Sequence, residues 1–195
     1  MSLKDKLVGP TEDEVWEKIK YCGPNELLMK SCSCGLLRGV ELSLESGAFI
    51  NTMNCQPLVS ASEYGYIEIV KYLLDKGADI DNENNHPIIF ASAGGHDEIV
   101  KLLLDKGSKI NLNTILCASE QGRTETLKIL LDKIDYLSIN IDESLICASK
   151  NGHIETVKLL LERGIDVHVM HDLPLKLSTE NGHTETVELL KTYMK

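Results

Sequence analysis

The sequence is short of aromatic residues, of positive charge and of long apolar runs. Aromatic residues make up 5% of its 195 residues, against 43% for all hydrophobic residues, so a core must be built from aliphatic side chains. No stretch approaches the roughly 20 consecutive apolar residues that a membrane span requires. The formal net charge of −10 argues against nucleic acid or an anionic membrane as partner, since both bind cationic surfaces.

Signatures of catalysis and of secretion are also missing. The sequence has no G-x-S-x-G nucleophile turn, no glycine-rich phosphate loop and no H-E-x-x-H zinc motif. The N-terminal residues lack the apolar segment of a secretory signal, and the six cysteines are then most simply read as reduced thiols. We therefore expect an intracellular protein, cytoplasmic or nuclear, that is not an enzyme and has no cofactor.

What the sequence does contain is a unit of about thirty residues that recurs. Residues 144–164 read SLICASKNGHIETVKLLLERG: a short apolar segment, a glycine, and a second apolar segment that ends at another glycine. Related segments begin at Pro57, Pro87, Thr114 and Pro174, and a degenerate copy begins at Leu27. Such a period is typical of solenoids, whose units bury their apolar faces against one another. We predict one continuous domain of six repeats: 27–56, 57–86, 87–113, 114–143, 144–173 and 174–195.

Each unit predicts a pair of helices. The first helix begins near a proline such as Pro57, whose fixed φ suits a first helical turn, and ends at a glycine such as Gly65. In the second segment, apolar residues recur at i, i+1, i+4 and i+5, as in residues 69–74, which gives one buried face. The innermost residues of these faces are expected to form a shared aliphatic spine: Leu73, Leu103, Leu130 and Leu160.

The two ends of the array differ from its interior. Residues 1–26 are predicted to hold a capping helix at about 11–21, with Trp16 packed inward, because acidic residues at its start oppose the helix dipole. In the first repeat Lys30 and Ser43 replace apolar residues, which fits a terminal unit with one wet side. In the last repeat two lysines replace apolar residues, as expected of a terminal repeat with a polar outer face: Lys176 and Lys191.

Histidine and cysteine are the usual zinc ligands in proteins. His96, His153 and His183 are equivalent residues of separate repeats, roughly 10 Å apart, which is too far to share one ion at about 2 Å per ligand. We interpret them as bonded to backbone groups at the helix–loop corner. Cys32 and Cys34 form C-x-C rather than the C-x₂₋₄-C of zinc modules, and we expect Cys117 and Cys147 to fill the core. No metal site is predicted, and a metal- or thiol-dependent enzyme is kept as an alternative.

Two short patterns give the units their family character. The glycine–histidine pairs Gly95-His96, Gly152-His153 and Gly182-His183 are joined by E-I-V-K-x-L-L-x-K-G at Glu68–Gly77 and Glu98–Gly107. Over about residues 27–195 the units resemble ankyrin repeats. This resemblance implies an all-α fold, an ankyrin-like α-solenoid of helix–loop–helix repeats, with short connecting fingers because the period is 30 rather than the family's usual 33. Such short units, poor in the T-P-L-H motif, are similar to the ankyrin families of giant DNA viruses, which implies a host cell.

The resemblance also implies where a partner binds. In an ankyrin stack the concave face consists of the last exposed positions of each first helix and of the fingers. By position, the implied partner-binding residues are Glu63, Tyr64, Tyr66, Asn85, His86, Leu112, Glu120, Gln121, Lys150, Asn151, Met170, His171, Glu180 and Asn181. The aromatic and apolar members are the expected anchors, although neutral drift of a solvated surface would also make these positions variable.

The implied function is a non-catalytic scaffold for protein–protein interaction with a host or viral protein. The acidic balance suggests that this partner carries a basic patch, and we expect the chain to be a monomer that binds neither nucleic acid nor membrane. Two alternatives remain open: an adaptor or competitive inhibitor in ubiquitin or signalling pathways, and a structural component of a particle.

Overall fold

The structure, a computed structural model, describes residues 21–81, 87–134 and 140–195. These residues form twelve α-helices and no β-strand. None of these helices has both the length and the apolar composition that crossing a membrane requires. The predicted capping helix with Trp16 and the predicted site residues Asn85 and His86 fall outside the described residues.

The chain divides into two compact units, Met1–Asn85 and His86–Lys195. The described helices of the first unit are α1 (Pro24–Cys34), α2 (Leu37–Glu45), α3 (Thr52–Glu63) and α4 (Ile67–Asp75). Those of the second unit are α5 (Pro87–Gly94), α6 (Asp97–Asp105), α7 (Leu112–Glu120), α8 (Thr124–Leu131), α9 (Asp142–Lys150), α10 (Ile154–Glu162), α11 (Val169–Glu180) and α12 (Thr184–Tyr193). The number of repeats and their boundaries stay a prediction.

Inside each unit the helices form two layers. In the second unit the first helices of successive repeats, α5, α7, α9 and α11, pack side by side, and the second helices, α6, α8, α10 and α12, form the other layer. The first unit is built in the same way, with α1 against α3 and α2 against α4. The two helices of each repeat also contact each other. Each helix therefore buries one face against its neighbours, and these faces form the core.

The core is aliphatic, as the composition predicts. Leu103, Leu130 and Leu160 are each fully buried in the second unit, and Leu73 is equally buried in the first. This confirms the predicted burial of the second helices. The first helices present fully buried alanines at equivalent positions, and because helix spacing depends on the side chains at the contact, these allow close packing. The alanines are Ala61, Ala91, Ala118 and Ala148.

Side-chain hydrogen bonds join neighbouring second helices in the second unit. The buried Thr126 hydroxyl of α8 donates to Oδ1 of Asp97 in α6 at 2.5 Å. The hydroxyls of Thr124 in α8 and Thr156 in α10 lie 2.8 Å apart. Buried hydroxyl groups need such partners, since an unbonded one loses its hydration without compensation.

Two first helices are preceded by a left-handed turn. Met53–Cys55 at the start of α3 have φ between 49° and 64°, and Met170–Asp172 at the start of α11 have φ between 49° and 60°. Regular right-handed helix follows each turn close to Pro57 and Pro174, in agreement with the predicted helix starts. In these two repeats the turn occupies the place of the predicted finger. Three consecutive non-glycine residues with left-handed backbone conformation are uncommon.

The two polar residues expected on a wet side of the first repeat differ from each other. Ser43 is fully buried, contrary to the prediction, and its hydroxyl donates to the carbonyl oxygen of Val40 at 2.7 Å. The reason is that α2 packs against both α1 and α4, so this position faces a neighbour rather than solvent. Lys30 is half-exposed, and its ammonium lies 2.7 Å from Oε1 of Glu26. Lys176 and Lys191 of the last repeat are exposed, as predicted.

Candidate functional site

The outward side of α9 carries a stripe of charged and apolar residues. In α9, Leu145 and Ala148 are fully buried, whereas Cys147 is half-buried and Glu143 and Lys150 are exposed. Positions 143, 147 and 150 share one side because residues three and four apart are neighbours on a helix. This side therefore has a charge at each end and an apolar middle.

The outward sides of α7 and α9 form one surface. Burial raises the pKa of the Cys147 thiol, the carboxylates of Glu120 and Glu143 raise it further, and the ammonium of Lys150 lowers it. Burial and the Glu120 carboxylate likewise raise the pKa of Cys117. Since Glu120 belongs to α7 and acts on a thiol in α9, charged groups of two successive repeats meet here.

The position of these two thiols corrects a prediction. Cys117 and Cys147 were expected to fill the core, but both are only half-buried. The neighbouring positions, Ala118 and Ala148, are the fully buried ones, and a step of one residue turns the side chain by about 100° around the helix. All six cysteines lie in the described part of the chain, and none of them forms a disulfide bond.

One group of predicted site residues lies at the C-terminal ends of the first helices. All of its members are exposed: Glu63, Tyr64, Glu120, Gln121, Lys150, Asn151, Glu180 and Asn181. Two of them also cap their helices, because Nδ2 of Asn151 donates to the Cys147 carbonyl at 2.9 Å and Nδ2 of Asn181 donates to the Leu177 carbonyl at 2.8 Å. These two asparagines thus have a structural role that the sequence pattern did not indicate.

The tyrosine pair of the first unit combines an exposed and a packed ring. Tyr64 is 54% exposed, and its ring centroid lies 6.3 Å from that of Tyr66. The Tyr66 ring covers Gly35, where an added Cβ would lie 2.6 Å from Cε1 of the ring. Tyr64 is therefore the member available to a partner, whereas part of Tyr66 belongs to the contact between repeats.

A second group of predicted residues lies at the opposite end of the first helices. Leu112 opens α7, and Met170 and His171 belong to the left-handed turn of α11. A helix of nine residues such as α9 places its two ends about 12 Å apart, so the structure does not bring all predicted residues to one point. It does bring Leu112, Met170 and His171 together.

These three residues line a groove with a volume of about 660 Å³ at the starts of α7, α9 and α11. The described residues that line it are Leu112, Asn140, Asp142, Glu143, Asp166, His168, Val169, Met170, His171 and Asp172. The sequence analysis missed its four carboxylates. A signal was present, since Asp142 and Glu143 directly precede Ser144, which stands where other repeats have proline, but acidic residues at a helix start are also ordinary helix-forming signals.

Local hydrogen bonds hold the α7 and α9 sides of the groove. Asn111 and Thr114 form a capping box at the start of α7: Oδ1 of Asn111 accepts from the Thr114 backbone N–H at 3.0 Å, and the Thr114 hydroxyl accepts from the Asn111 N–H at 3.4 Å. Before α9, Oδ1 of Asn140 accepts from the Asp142 N–H at 2.9 Å. Both sets of bonds satisfy amide groups that a helix start otherwise leaves unpaired.

The α11 side of the groove is held by a histidine. Oδ1 of Asp166 accepts from the His168 backbone N–H at 2.9 Å. Nδ1 of His168 lies 2.6 Å from Oδ1 of Asp172. The second contact spans the left-handed turn, so it ties the two ends of the segment that carries Met170 and His171.

The histidines of the glycine–histidine pairs act at the other end of the first helices. Nε2 of His153 lies 2.8 Å from the carbonyl oxygen of Glu120, and Nε2 of His183 lies 2.9 Å from that of Lys150. At the equivalent position of α8, Nε of Arg123 donates to the Ala93 carbonyl at 3.0 Å. The predicted backbone role is thus confirmed for His153 and His183. In the part of the chain that the structure describes, no group of three or more His, Cys, Asp or Glu is placed to hold a metal ion.

Comparison with known proteins identifies the class of this repeat. The family model described as ankyrin repeats (3 copies) matches residues 28–114, 88–171 and 115–195. The chain therefore belongs to the ankyrin-repeat family, and its fold is the all-α solenoid of that family, as predicted. No curated protein sequence matches the chain.

A solved structure agrees with this assignment. The crystal structure of the human ASB11 ankyrin repeat domain superposes with a TM-score of 0.73 at 26% sequence identity, over 85% of this chain and 82% of that one. Ankyrin repeats are generally protein–protein interaction modules. These comparisons establish the family, while a viral source stays a prediction.

Proposed function

We propose that this chain is a non-catalytic scaffold whose protein partner binds the outward sides of the first helices and the groove at their starts. The observation that carries the proposal is the packing of α7 against α9, which places the half-buried Cys147 and the exposed Glu143 and Lys150 next to the exposed Glu120 of the preceding repeat. Such a surface has a half-buried apolar centre and a charged rim, which is the usual arrangement of protein interfaces. It runs across repeats rather than forming a closed pocket for a small substrate.

The packing beneath this surface supports a binding role. The outward stripe lies directly over fully buried residues such as Leu145 and Ala148, and His153 and His183 link its C-terminal end to the following repeat. A surface held in this way loses little conformational entropy when a partner binds, which lowers the free-energy cost of association.

The charge of the chain suggests the character of the partner. With 30 acidic and 20 basic residues, the chain attracts proteins that carry a basic patch, and this attraction speeds their encounter more than it tightens the complex. We place this function in the cytoplasm or nucleus of a host cell and in a monomeric chain.

Affinity capture tests the proposal. The immobilised chain is exposed to cell lysate and compared with a variant carrying Tyr64→Ala and Met170→Ala, whose side chains are 54% and 55% exposed, so that truncation leaves the core intact. The matched control carries Lys101→Ala and Lys128→Ala, which are exposed on second helices. We expect specific proteins on the wild type and the control and their loss from the test variant. Equal capture by all three chains, or no specific capture by the wild type, would contradict the proposal.

A further inference from the structure

We propose that the groove at the starts of α7, α9 and α11, called here the acidic groove, binds a short basic segment of a partner protein with an aliphatic side chain between its lysine or arginine residues. This inference rests on the proposed function, and it adds the chemistry of the partner at one part of the surface. Three features of the groove support it: its charge, its apolar wall and its length.

The charge of the groove selects a cation. Four carboxylates line it, Asp142, Glu143, Asp166 and Asp172, and among the described residues that line it there is no lysine or arginine. The starts of helices attract anions when nothing else is present, but here the carboxylates reverse that preference. Asp172 already faces the His168 ring, so Asp142, Glu143 and Asp166 are the carboxylates best placed to receive the cationic groups of a partner.

The apolar wall of the groove favours a bound segment that also carries an aliphatic side chain. Met170 is 55% exposed, Leu112 is half-buried, and Val169 is 9% exposed beneath them. A methionine side chain adapts to differently shaped aliphatic groups because it is unbranched and polarizable. A segment that offers only lysines would leave this wall in water, and an apolar segment would leave the carboxylates without a partner. Both features are therefore expected in the bound segment.

The length of the groove fits a piece of polypeptide. It touches the starts of three successive first helices, and helices packed about 8–10 Å apart give it a length of roughly 16–20 Å. An extended chain rises about 3.3 Å per residue, so the groove accommodates about five or six residues. A volume of about 660 Å³ is far larger than one ammonium group needs.

Fluorescence anisotropy with three labelled hexapeptides tests the proposal on the full chain. The first peptide alternates lysine and leucine, the second lysine and serine, and the third glutamate and leucine. We expect the first to bind, the second to bind at least about fivefold more weakly, and the third not to bind. Raising the salt concentration from about 50 mM to 500 mM should weaken the first by several-fold, because salt screens exposed charges.

Variants assign this binding to the acidic groove. Asp142→Asn with Glu143→Gln removes two of its carboxylates, and Met170→Ser changes its wall; each is expected to weaken the first peptide about five- to tenfold. The control, Asp105→Asn with Glu162→Gln, removes the same charge from exposed ends of second helices and should change binding less than twofold. Circular dichroism and thermal melting of each variant show that the fold is retained.

The outcomes separate this inference from the proposed function. If the peptides bind equally to the groove and control variants, or if all three bind alike, the acidic groove is not the site and the inference is wrong. If lysate proteins are still captured in that case, and Glu120→Ala with Lys150→Ala abolishes their capture, the scaffold function stands without the groove. Loss of both peptide binding and lysate capture in the groove variants supports both.

Discussion

Nε2 of His183 lies 2.9 Å from the carbonyl oxygen of Lys150, a residue of the preceding repeat. The same contact joins His153 to Glu120 at 2.8 Å. In each case the imidazole also lies against the glycine that ends the preceding first helix, Gly152 or Gly122. The glycine–histidine pairs thus connect successive repeats. The histidine of one repeat bonds to the end of the first helix in the preceding repeat, and the glycine there leaves room for the imidazole ring.

The first prediction concerns Gly122 and His153. Gly122 has φ +64°, and a Cβ added there would lie 2.5 Å from Nδ1 of His153. We expect Gly122→Ala to lower the free energy of unfolding by about 2–4 kcal/mol, from the left-handed backbone and the displaced ring. His153→Ala should cost about 1 kcal/mol through its lost hydrogen bond. Chemical denaturation of both variants and of the double variant measures the coupling.

The double variant is expected to lose about 1 kcal/mol less than the sum of the single variants, because the three atoms nearest the added methyl group all belong to the His153 ring and contacting residues are not additive. Gly164→Ala is the control: Gly164 has φ +87° and no atom within 4 Å of an added Cβ. It should show only the backbone cost of about 1–2 kcal/mol. Strict additivity in the cycle would mean that ring and glycine are independent.

The second prediction compares two adjacent leucines of α10. Leu160 is fully buried and Leu159 is half-buried. Leu160→Ala should cost about 2–5 kcal/mol because it leaves a cavity in the core, and Leu159→Ala should cost less than half as much. The same holds for Leu103→Ala in α6. A loss below about 1 kcal/mol for Leu160→Ala in thermal and urea unfolding would contradict the assigned core.

The third prediction concerns the capping box of α7. Asn111→Ala removes the oxygen that accepts from the Thr114 N–H and should cost about 1 kcal/mol, the usual effect of losing an N-cap. Asn113→Ala, two residues on and exposed, should change stability by less than about 0.5 kcal/mol. Equal effects in urea titrations would show that the cap contributes nothing beyond helix propensity.

The fourth prediction concerns thiol reactivity. Cys32 is fully buried, and Cys34 is exposed on the same helix. We expect iodoacetamide at pH 8 to modify Cys34 rapidly and Cys32 only when α1 opens, because the thiolate must form and be reached by the reagent. Peptide mass spectrometry over time distinguishes the two sites. Similar rates at both would place Cys32 at the surface.

The fifth prediction is a pH dependence caused by the same thiol. Burial raises the pKa of Cys32 from 9.0 to about 12, so above pH 9 the unfolded chain releases this proton and the folded chain keeps it. The stabilisation is therefore complete below pH 9 and is lost as the pH rises. Between pH 8 and 10 the wild type should lose about 1.4 kcal/mol more stability than Cys32→Ala. Parallel pH profiles of the two chains would contradict this.

Several features could be predicted because they depend on local periodicity. The helix pair of each repeat, the burial of Leu103 and Leu160, and the exposure of Lys191 all follow from which side of a helix a residue occupies. The backbone role of His153 could be predicted as well, because its equivalents lie in separate repeats and cannot share one ion. The helix pairs and the buried leucines recur from repeat to repeat, and Lys191 is recognised as a departure from that pattern, so all of these features are visible in a single chain.

Other features could not be predicted because they depend on what packs nearby. Ser43 replaces an apolar residue and was predicted to be wet, yet the packing of α4 on α2 buries it. Cys147 was assigned to the core, although a step of one position from Ala148 places it on the outward side. Serine and cysteine are both found in the core and at the surface. Which of the two applies to Ser43 and Cys147 depends on the helix that packs next to them.

The amino-acid sequence by itself determined that this chain is an array of ankyrin-type helix pairs with an aliphatic core. The reason is that each repeat must pack against a neighbour, so the same apolar pattern recurs in every repeat. Only the tertiary structure decided that Asp142 at the start of α9, and Asp166 and Asp172 before and within α11, meet Leu112 and Met170 in one groove. Leu112, Asp142 and Asp172 lie thirty residues apart and so occupy equivalent positions, whereas Asp166 and Met170 lie at other positions of the repeat, and the stacking of the first helices is what brings all five together.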